Sequence, residues 1–180
     1  MVRRAEKTQP VVLTVGHSTR GLDTFLHLLQ VHGVTRLVDV RTIPKSRHNP
    51  QFNKETLPAA LKTVEIAYQH MPELGGLRHS LPNSPNQAWH NASFRGFADY
   101  MQTPEFDKGL QKLVEMARND RVAILCAEAV PWRCHRSLIA DALVARHIRV
   151  EHIMSETLLQ THVVTPWACI KGNRVTYPTP

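Results

Sequence analysis

The sequence has no apolar run that approaches the roughly 20 residues needed to cross a bilayer. Its first ten residues lack the apolar stretch of a secretory signal peptide. Its three cysteines are an odd number and too few for a disulfide framework. Internal repeats and low-complexity linkers are also missing. These absences argue against a membrane protein and a disulfide-stapled secreted domain, so we expect a cytoplasmic protein with reduced thiols and no membrane partner.

The charge balance is strongly basic. Twenty-two Lys and Arg residues against 15 Asp and Glu residues give a formal net charge of +7. Such an excess favours polyanionic partners, nucleic acid above all, although many basic proteins bind none. The 180 residues, 42% of them hydrophobic and 21% charged, suffice for one globular domain with a sizeable core.

Short apolar runs separated by amphipathic segments predict the fold class. Residues 11–15 and 122–125 are rich in branched side chains and too short for helices, which is typical of buried strands. Residues 36–41 and 149–153 fit two further strands. The helical stripe between the first two strands is typical of a βαβ unit with parallel strands. The pattern predicts a single three-layer, Rossmann-like α/β domain with a mainly parallel sheet of at least four strands.

The domain organisation follows from the same pattern. We predict a mobile tail over residues 1–10, the α/β domain over residues 11–155, and a C-terminal extension over residues 156–180 that packs on the same domain. Within the extension, Lys171, Gly172 and Asn173 separate two apolar stretches and indicate a hairpin turn.

Residues 121–136 collect more reactive side chains than any other stretch. The predicted strand ends at Cys126, and Glu128, Cys134, His135 and Arg136 follow before an amphipathic helix begins. In open α/β sheets, such a turn lies at the carboxyl edge of the strands, where ligands usually bind. We therefore expect the functional site here.

Two other predicted strands end in ionisable or polar groups. His17 and Ser18 follow the first strand, and Asp39 and Arg41 end the second. If the strands are parallel neighbours, these turns open beside Cys126 on one edge and share a pocket. His17 and Glu128 are then the candidates for proton transfer, provided that their surroundings shift them towards neutral pH.

The role of Cys126 is open between several chemistries. A helix N-terminus and the nearby Arg133 and Arg136 are a setting that lowers a thiol pKa and favours a nucleophilic thiolate. The arrangement resembles phosphatase and sulfurtransferase loops, but Trp132 stands at the phosphatase arginine position and Pro131 lacks an N–H donor. A buried structural cysteine is the plain alternative.

A metal site is the second chemistry. Cys126, Cys134 and His135, with His17 as a further possibility, offer ligands suited to zinc or iron, although their spacing matches no short-range zinc motif. A redox pair of Cys126 and Cys134 is the third chemistry.

A basic segment after the second strand is the candidate phosphate-binding loop. Residues 36–54 contain five Lys and Arg residues against one acidic residue. The predicted substrate-binding residues are Ser18, Asp39, Arg41, Ser46, Arg47, Arg133 and Arg136. Trp89, Phe94 and Phe97 could stack on bases, but core packing is the more common role of such aromatics.

Several motifs together resemble one family. They are Thr14-Val-Gly-His-Ser18, Asp39-Val-Arg41 with Pro44 and Ser46, Pro72-Glu-Leu-Gly-Gly76, Phe94-Arg-Gly-Phe-Ala-Asp-Tyr-Met101, and Cys126-Ala-Glu128 with Cys134-His135-Arg136. Over about residues 11–155 the sequence resembles the bacterial and archaeal domain of unknown function 488 family. The resemblance implies a single cytoplasmic α/β domain and no particular activity.

The leading functional prediction is an enzyme that acts on a phosphate-bearing substrate, a nucleotide or a nucleic acid. Arginines would hold phosphate, and Cys126 would be the nucleophile or a metal ligand, with Cys134 and His135 beside it. One alternative is a non-catalytic nucleic-acid-binding module, whose affinity would fall steeply with salt. The other is a thiol redox or sulfur-handling protein.

Overall fold

A computed structural model describes residues 9–180 of the chain. The strands are β1 Val11–Gly16, β2 Arg36–Asp39, β3 Ala67–His70, β4 Val122–Cys126, β5 Arg149–Ile153, β6 Leu159–Thr161, β7 Cys169–Lys171 and β8 Arg174–Thr176. The α-helices are α1 Leu22–Val31, α2 Leu57–Lys62, α3 Ala92–Tyr100, α4 Pro104–Asn119 and α5 Arg136–Ala145. Of the predicted N-terminal tail, residues 1–8 lie outside the described residues.

Six strands form one sheet in the order β3-β2-β4-β1-β5-β6. β1 to β5 run parallel, and only β6 at the edge is antiparallel, where it pairs with β5. The α/β class and the mainly parallel sheet of at least four strands are confirmed. The sequence missed β6, because its three residues are largely exposed and carry no alternating apolar pattern.

Helices cover both faces of the sheet and produce three layers. Successive strand residues point to opposite faces, so Val12 packs with α3, α4 and α5 while Leu13 packs with α1 and α2. β1 and β4 are the two central strands, and both are apolar on their two faces. This is typical of parallel strands that helices cover on both sides. None of the helices within residues 9–180 is long and apolar enough to cross a membrane.

The strand register brings the predicted site turns together. Gly16 at the end of β1 pairs with Cys126 at the end of β4, and Asp39 at the end of β2 pairs with Leu125. The turns after β1, β2 and β4 therefore open at the same edge, as predicted. Gly16 is required there, because a Cβ would clash with the backbone of Glu128.

The C-terminal residues form a hairpin that packs against the domain. β7 and β8 form an antiparallel hairpin around Gly172, where the sequence predicts a turn. Val175 and Tyr177 bury their side chains in the core that α5 helps to form. Part of this terminal segment is therefore integrated in the same core as the sheet.

Candidate functional site

A cavity of about 460 Å³ opens at the carboxyl edge of β1, β2 and β4. All five predicted catalytic residues line it: His17, Cys126, Glu128, Cys134 and His135. Of the predicted substrate-binding residues, the lining includes Arg41, Ser46 and Arg133 but not Ser18, Asp39, Arg47 or Arg136. The residues singled out in the sequence therefore surround one cavity. The structure shows which of their side chains line that cavity and which lie behind its wall.

At the base of the cavity lies the thiol–imidazole cluster, formed by Cys126, Cys134 and His135. The Sγ atom of Cys134 is 3.6 Å from Nδ1 of His135, and the Sγ atom of Cys126 is 3.9 Å from the same nitrogen. These three atoms all lie within 4.8 Å of one another. Cys126 comes from the end of β4, whereas the other two residues lie just before α5, so the chain turn after β4 brings them together.

Backbone contacts fix the tautomer of His135. Its Nε2 lies 3.0 Å from the carbonyl oxygen of Val40 and 3.1 Å from that of Leu74, and carbonyls only accept hydrogen bonds. Nε2 must therefore carry the proton, and in the neutral ring the Nδ1 lone pair faces both sulfurs. Gly76 lies against the ring, where a Cβ would come within 2.7 Å of Nδ1, and Phe97 contacts the ring edge-on.

The two thiols differ in acidity. The neighbouring Cys134 sulfur, together with burial, raises the pKa of Cys126 well above its ordinary value. The neighbouring Cys126 thiol lowers the pKa of Cys134 well below its ordinary value, with help from the charge of Arg136 and against the effect of burial. The backbone N–H of Arg136 also donates to Sγ of Cys134 over 3.5 Å. The sequence placed the low pKa at Cys126, whereas the structure places it at Cys134, which lies closer to the N-terminus of α5.

One wall of the cavity is a buried ion pair. Arg41 donates from Nε and Nη2 to the two carboxylate oxygens of Asp39, at 2.9 and 2.7 Å, and Asp39 also accepts from the hydroxyl of Tyr68. The negative charge of Asp39 therefore offsets most of the charge of Arg41. Asp39 is completely buried and does not line the cavity, so it orients Arg41 from behind the wall.

His17 lies beside this pair in its neutral form. Its Nδ1–H donates to the carbonyl oxygen of Ser18 over 2.7 Å, and its Nε2 accepts from Nη1 of Arg41 at 3.4 Å. Burial and the charge of Arg41 lower the pKa of His17, against the effect of the Ser18 hydrogen bond. Ser18 contributes its carbonyl group from a left-handed backbone conformation, with φ at 51°.

The mouth of the cavity carries cations and apolar side chains. Lys45 and Arg133 are exposed, and neither forms an ion pair with a carboxylate among residues 9–180. Ile43 and Leu77 are 63% and 66% exposed at the same opening. Ser46 also lines the cavity, and its hydroxyl accepts from the N–H of Asn49, which stabilises the loop. The predicted phosphate contact at Arg47 lies outside this opening.

Arg136 supports the site from beneath. Its side chain is only 1% exposed, and its guanidinium donates to the hydroxyl of Thr14 and to the carbonyl oxygen of Glu128. Because both contacts are internal, Arg136 positions the turn after β4, and it does not line the cavity where the sequence predicts that it binds substrate. The carboxylate of Glu128 accepts from the N–H of Val130 and remains exposed to the cavity.

The aromatic residues belong mainly to the core, as the more common role suggested. Phe97 is completely buried, and Trp89 packs against Phe94, Trp167 and Tyr177 at centroid distances of 4.9 to 5.5 Å. Phe94 alone among these residues also lines the cavity. Stacking on several bases would require these contacts to be broken.

Sequence reasoning did not find the contacts that hold His135. The Gly75-Gly76 pair was visible in the sequence, but nothing there indicated that Gly76 lies against an imidazole. The carbonyl groups of Val40 and Leu74 are backbone atoms and leave no residue-type signal.

Comparison with known proteins gives one finding. The model of the family described as "Domain of unknown function DUF488" matches residues 21–143, which include β2, β4 and the thiol–imidazole cluster. Searches among curated proteins and among solved structures give no match. The match covers more than half of the chain and agrees with the motifs at the cavity, and the chain therefore belongs to the DUF488 family.

Proposed function

We propose that the protein is an enzyme that acts on a phosphate-bearing substrate held in the cavity at the carboxyl edge of the sheet. The observation that carries the proposal is that exposed cationic side chains and the thiol–imidazole cluster line the same cavity. Lys45 and Arg133 stand at the mouth, and Cys126, Cys134 and His135 lie at the base. Phosphate groups bind to Lys and Arg through charge-assisted hydrogen bonds, which are roughly twice as strong as neutral ones.

Each lining residue has a role in this proposal. Lys45 and Arg133 attract and hold the phosphate, because no carboxylate among residues 9–180 neutralises them. Arg41 is held by Asp39 and presents its remaining N–H to the cavity as a fixed donor. Cys126 is the nucleophile or a metal ligand, and the exposed Glu128 exchanges protons with the substrate.

A nucleotide or the end of a nucleic-acid strand is the substrate class that suits this cavity best. Ligand pockets typically measure about 300–1,000 Å³, and about 460 Å³ falls within that range. Ile43, Leu77 and Phe94 provide an apolar surface beside the cations, which matches a base next to its phosphate. The net charge of +7 adds long-range attraction for polyanions.

Ligand binding and turnover test the proposal directly. Purified protein is incubated with p-nitrophenyl phosphate, bis(p-nitrophenyl) phosphate, nucleoside mono- and triphosphates and short single-stranded DNA and RNA. We expect turnover of at least one of them. Lys45→Gln and Arg133→Gln should raise the KM for that compound about tenfold, the loss of one charged hydrogen bond. Arg47→Gln, a neighbouring cation outside the cavity, is the matched control and should leave KM unchanged.

The same binding and turnover assay distinguishes the proposed enzyme from a non-catalytic nucleic-acid-binding module. Binding without turnover, weakened equally by Arg47→Gln and Lys45→Gln and unaffected by Cys126→Ser, would replace the enzyme by a diffuse basic surface. Such binding would fall log-linearly with salt. If none of the phosphates binds even at low salt, both interpretations are wrong.

A thiol redox protein is the second candidate, and the proximity of the two sulfurs favours it. Cys126 and Cys134 are free thiols whose sulfur atoms lie within 4.8 Å of each other. Oxidised glutathione should then convert them to a disulfide, detected by peptide mapping. Three free thiols also support a reducing compartment such as the cytoplasm. Failure of the pair to oxidise at any ratio of glutathione to its disulfide would remove this candidate.

A further inference from the structure

The three atoms of the thiol–imidazole cluster have the spacing of a tetrahedral metal site. Zn–S bonds of about 2.3 Å and Zn–N bonds of about 2.0 Å place sulfur and nitrogen ligands roughly 3.6 Å apart at a tetrahedral angle. The observed Sγ to Nδ1 distances are 3.6 Å for Cys134 and 3.9 Å for Cys126. The two sulfurs lie within 4.8 Å of each other, against roughly 3.8 Å in a tetrahedral site, so bringing these side chains onto an ion requires shifts of about 1 Å or less.

We propose that Cys126, Cys134 and His135 bind one Zn²⁺ ion, with the fourth coordination position open to the cavity. This deepens the proposed function, because it assigns the cluster as a metal centre in place of a free nucleophile. Three protein ligands with one open position are typical of catalytic zinc, whereas structural zinc is enclosed by four. The open position would take a water molecule or a phosphate oxygen.

The hydrogen bonds that hold the His135 ring also favour a metal site. Metal-bound histidines almost always donate their second ring N–H to a carboxylate or a carbonyl group, which fixes the tautomer and orients the ring. Nε2 of His135 faces the carbonyl oxygens of Val40 and Leu74, so Nδ1 is left as the donor atom that faces the sulfurs. The N–H of Arg136 in turn contacts Sγ of Cys134.

The chemistry of the ligands selects zinc over the harder cations. Two thiolates and one imidazole are soft to borderline ligands that suit Zn²⁺, whereas Mg²⁺ and Ca²⁺ require oxygen ligands. Two thiolates also balance the ion's charge of +2. Because cysteine binds zinc as the thiolate, metal binding must release any proton that the two sulfurs carry.

Metal titration of the reduced full-length protein tests the site. Co²⁺ replaces Zn²⁺ as a spectroscopic probe, since tetrahedral thiolate coordination gives intense visible bands and a sulfur-to-cobalt charge-transfer band. We expect one equivalent to bind and Zn²⁺ to displace it. Cys126→Ser, Cys134→Ser and His135→Gln should each weaken binding at least about 100-fold, since even changes outside the ligand set cost about 10–100-fold. Cys169→Ser is the matched control, because Cys169 does not line the cavity, and it should bind normally.

A second measurement covers variants that fail to fold. In the wild-type chain, one equivalent of Zn²⁺ should protect Cys126 and Cys134 from alkylation, while the rate at Cys169 stays unchanged. Absence of binding, an octahedral cobalt spectrum, or equal protection of all three thiols would overturn the site. Neither readout uses a phosphate substrate. A zinc site without phosphate turnover would therefore defeat only the proposed function, and phosphate turnover by a protein that binds no zinc would defeat only this inference.

Discussion

Two histidine-containing clusters within residues 9–180 differ in how completely their atoms are hydrogen-bonded, and for that reason we call the thiol–imidazole cluster open and the second cluster closed. The distinction concerns hydrogen bonding alone, because His152 and His162 of the second cluster also line a separate cavity of about 260 Å³. The thiol–imidazole cluster faces the cavity. The other, which we name the histidine chain, consists of Thr14, His152, His162, Asp141 and Tyr177. It runs from the hydroxyl of Thr14 to Nδ1 of His152 at 2.6 Å, from Nε2 of His152 to Nδ1 of His162 at 2.9 Å, and from Nε2 of His162 to Asp141 at 2.7 Å.

Every proton in the histidine chain has an acceptor. The hydroxyl of Thr14 accepts from Arg136 and donates to His152, and each imidazole then donates through Nε2 to the next group. Tyr177 donates to the other carboxylate oxygen of Asp141. In this pattern each imidazole has one donor and one acceptor nitrogen, and Asp141 accepts through both carboxylate oxygens. Burial, together with the neighbouring His162 and Arg136, lowers the pKa of His152 to about 3.

The comparison shows that histidines in one fold can differ in how many of their neighbouring polar atoms have protein partners. A closed network rigidifies the fold because each buried donor and acceptor is satisfied. In the thiol–imidazole cluster, two carbonyl groups hold Nε2 of His135 and the N–H of Arg136 contacts Sγ of Cys134, while Nδ1 and the two sulfurs face one another beside the cavity. We therefore expect changes in the histidine chain to lower stability and changes in the open cluster to alter chemistry.

The largest expected effect is on stability, at Asp141. Asp141→Ala leaves His162, Tyr177 and the N–H of Thr165 without their shared acceptor in the interior. Buried donors left unsatisfied cost about 1–3 kcal/mol each, and we expect a total loss of about 3–5 kcal/mol in the free energy of unfolding. Urea denaturation at neutral pH measures it.

Cys134→Ser provides the comparison for that variant. It changes the open cluster and should lower the free energy of unfolding by about 1 kcal/mol, the usual cost of a point substitution. If Cys134→Ser destabilises the protein as much as Asp141→Ala, the distinction between a closed and an open cluster is wrong.

The sequence was sufficient to predict the sheet and the edge where the site lies. Alternation of apolar strands with amphipathic helices implies parallel strands, and parallel strands place their following turns at one edge. His17, Arg41 and Cys126 were therefore expected together before any distance was known, and they line one cavity.

The histidine chain could not be predicted in the same way. Thr14 and His152 are 138 residues apart in the sequence, and their contact depends on the pairing of β1 with β5. The opposite roles of Arg133 and Arg136 were hidden for a related reason. The two arginines are only three residues apart, and side-chain direction alone sends one to the cavity and buries the other.

The next effect is a dependence of stability on pH that originates at His152. Its folded pKa of about 3 lies below the ordinary value of 6.5, so the unfolded chain binds the proton more readily. The stabilisation is complete above pH 6.5 and is lost as the pH falls towards about 3. Between pH 6.5 and about 4.5 we expect this group to remove about 2 kcal/mol.

Urea denaturation at both pH values, on wild-type protein and on His152→Gln, measures this contribution. The variant lacks the titrating ring and should lose about 2 kcal/mol less over that interval. An identical pH dependence in both proteins would contradict the assignment to His152.

A smaller effect is expected in the open cluster of the metal-free protein. Because the pKa of Cys134 is lowered, we expect a larger fraction of its thiol to be ionised at a given pH than in an ordinary cysteine. An ordinary thiol is only a few per cent ionised at pH 7. Ultraviolet thiolate absorbance at neutral pH should therefore be lower in Cys134→Ser than in the wild-type protein, and Cys169→Ser should retain it. A wild-type protein without that absorbance would contradict the prediction.

The smallest expected effect is at Gly76, which tests how the open cluster is positioned. In Gly76→Ala the new Cβ would lie 2.7 Å from Nδ1 of His135, closer than carbon and nitrogen can approach. The ring cannot retreat freely, because Val40 and Leu74 hold its other nitrogen. We expect about a three- to tenfold loss of Co²⁺ affinity, which is about 1 kcal/mol. Gly21→Ala, where the nearest atom outside the adjacent chain is 4.0 Å away, should leave the affinity unchanged. Equal affinities in the two variants would show that the imidazole is not held in place. The open cluster would then lack the fixed geometry that a bound ion requires and that the histidine chain has through its complete hydrogen bonding.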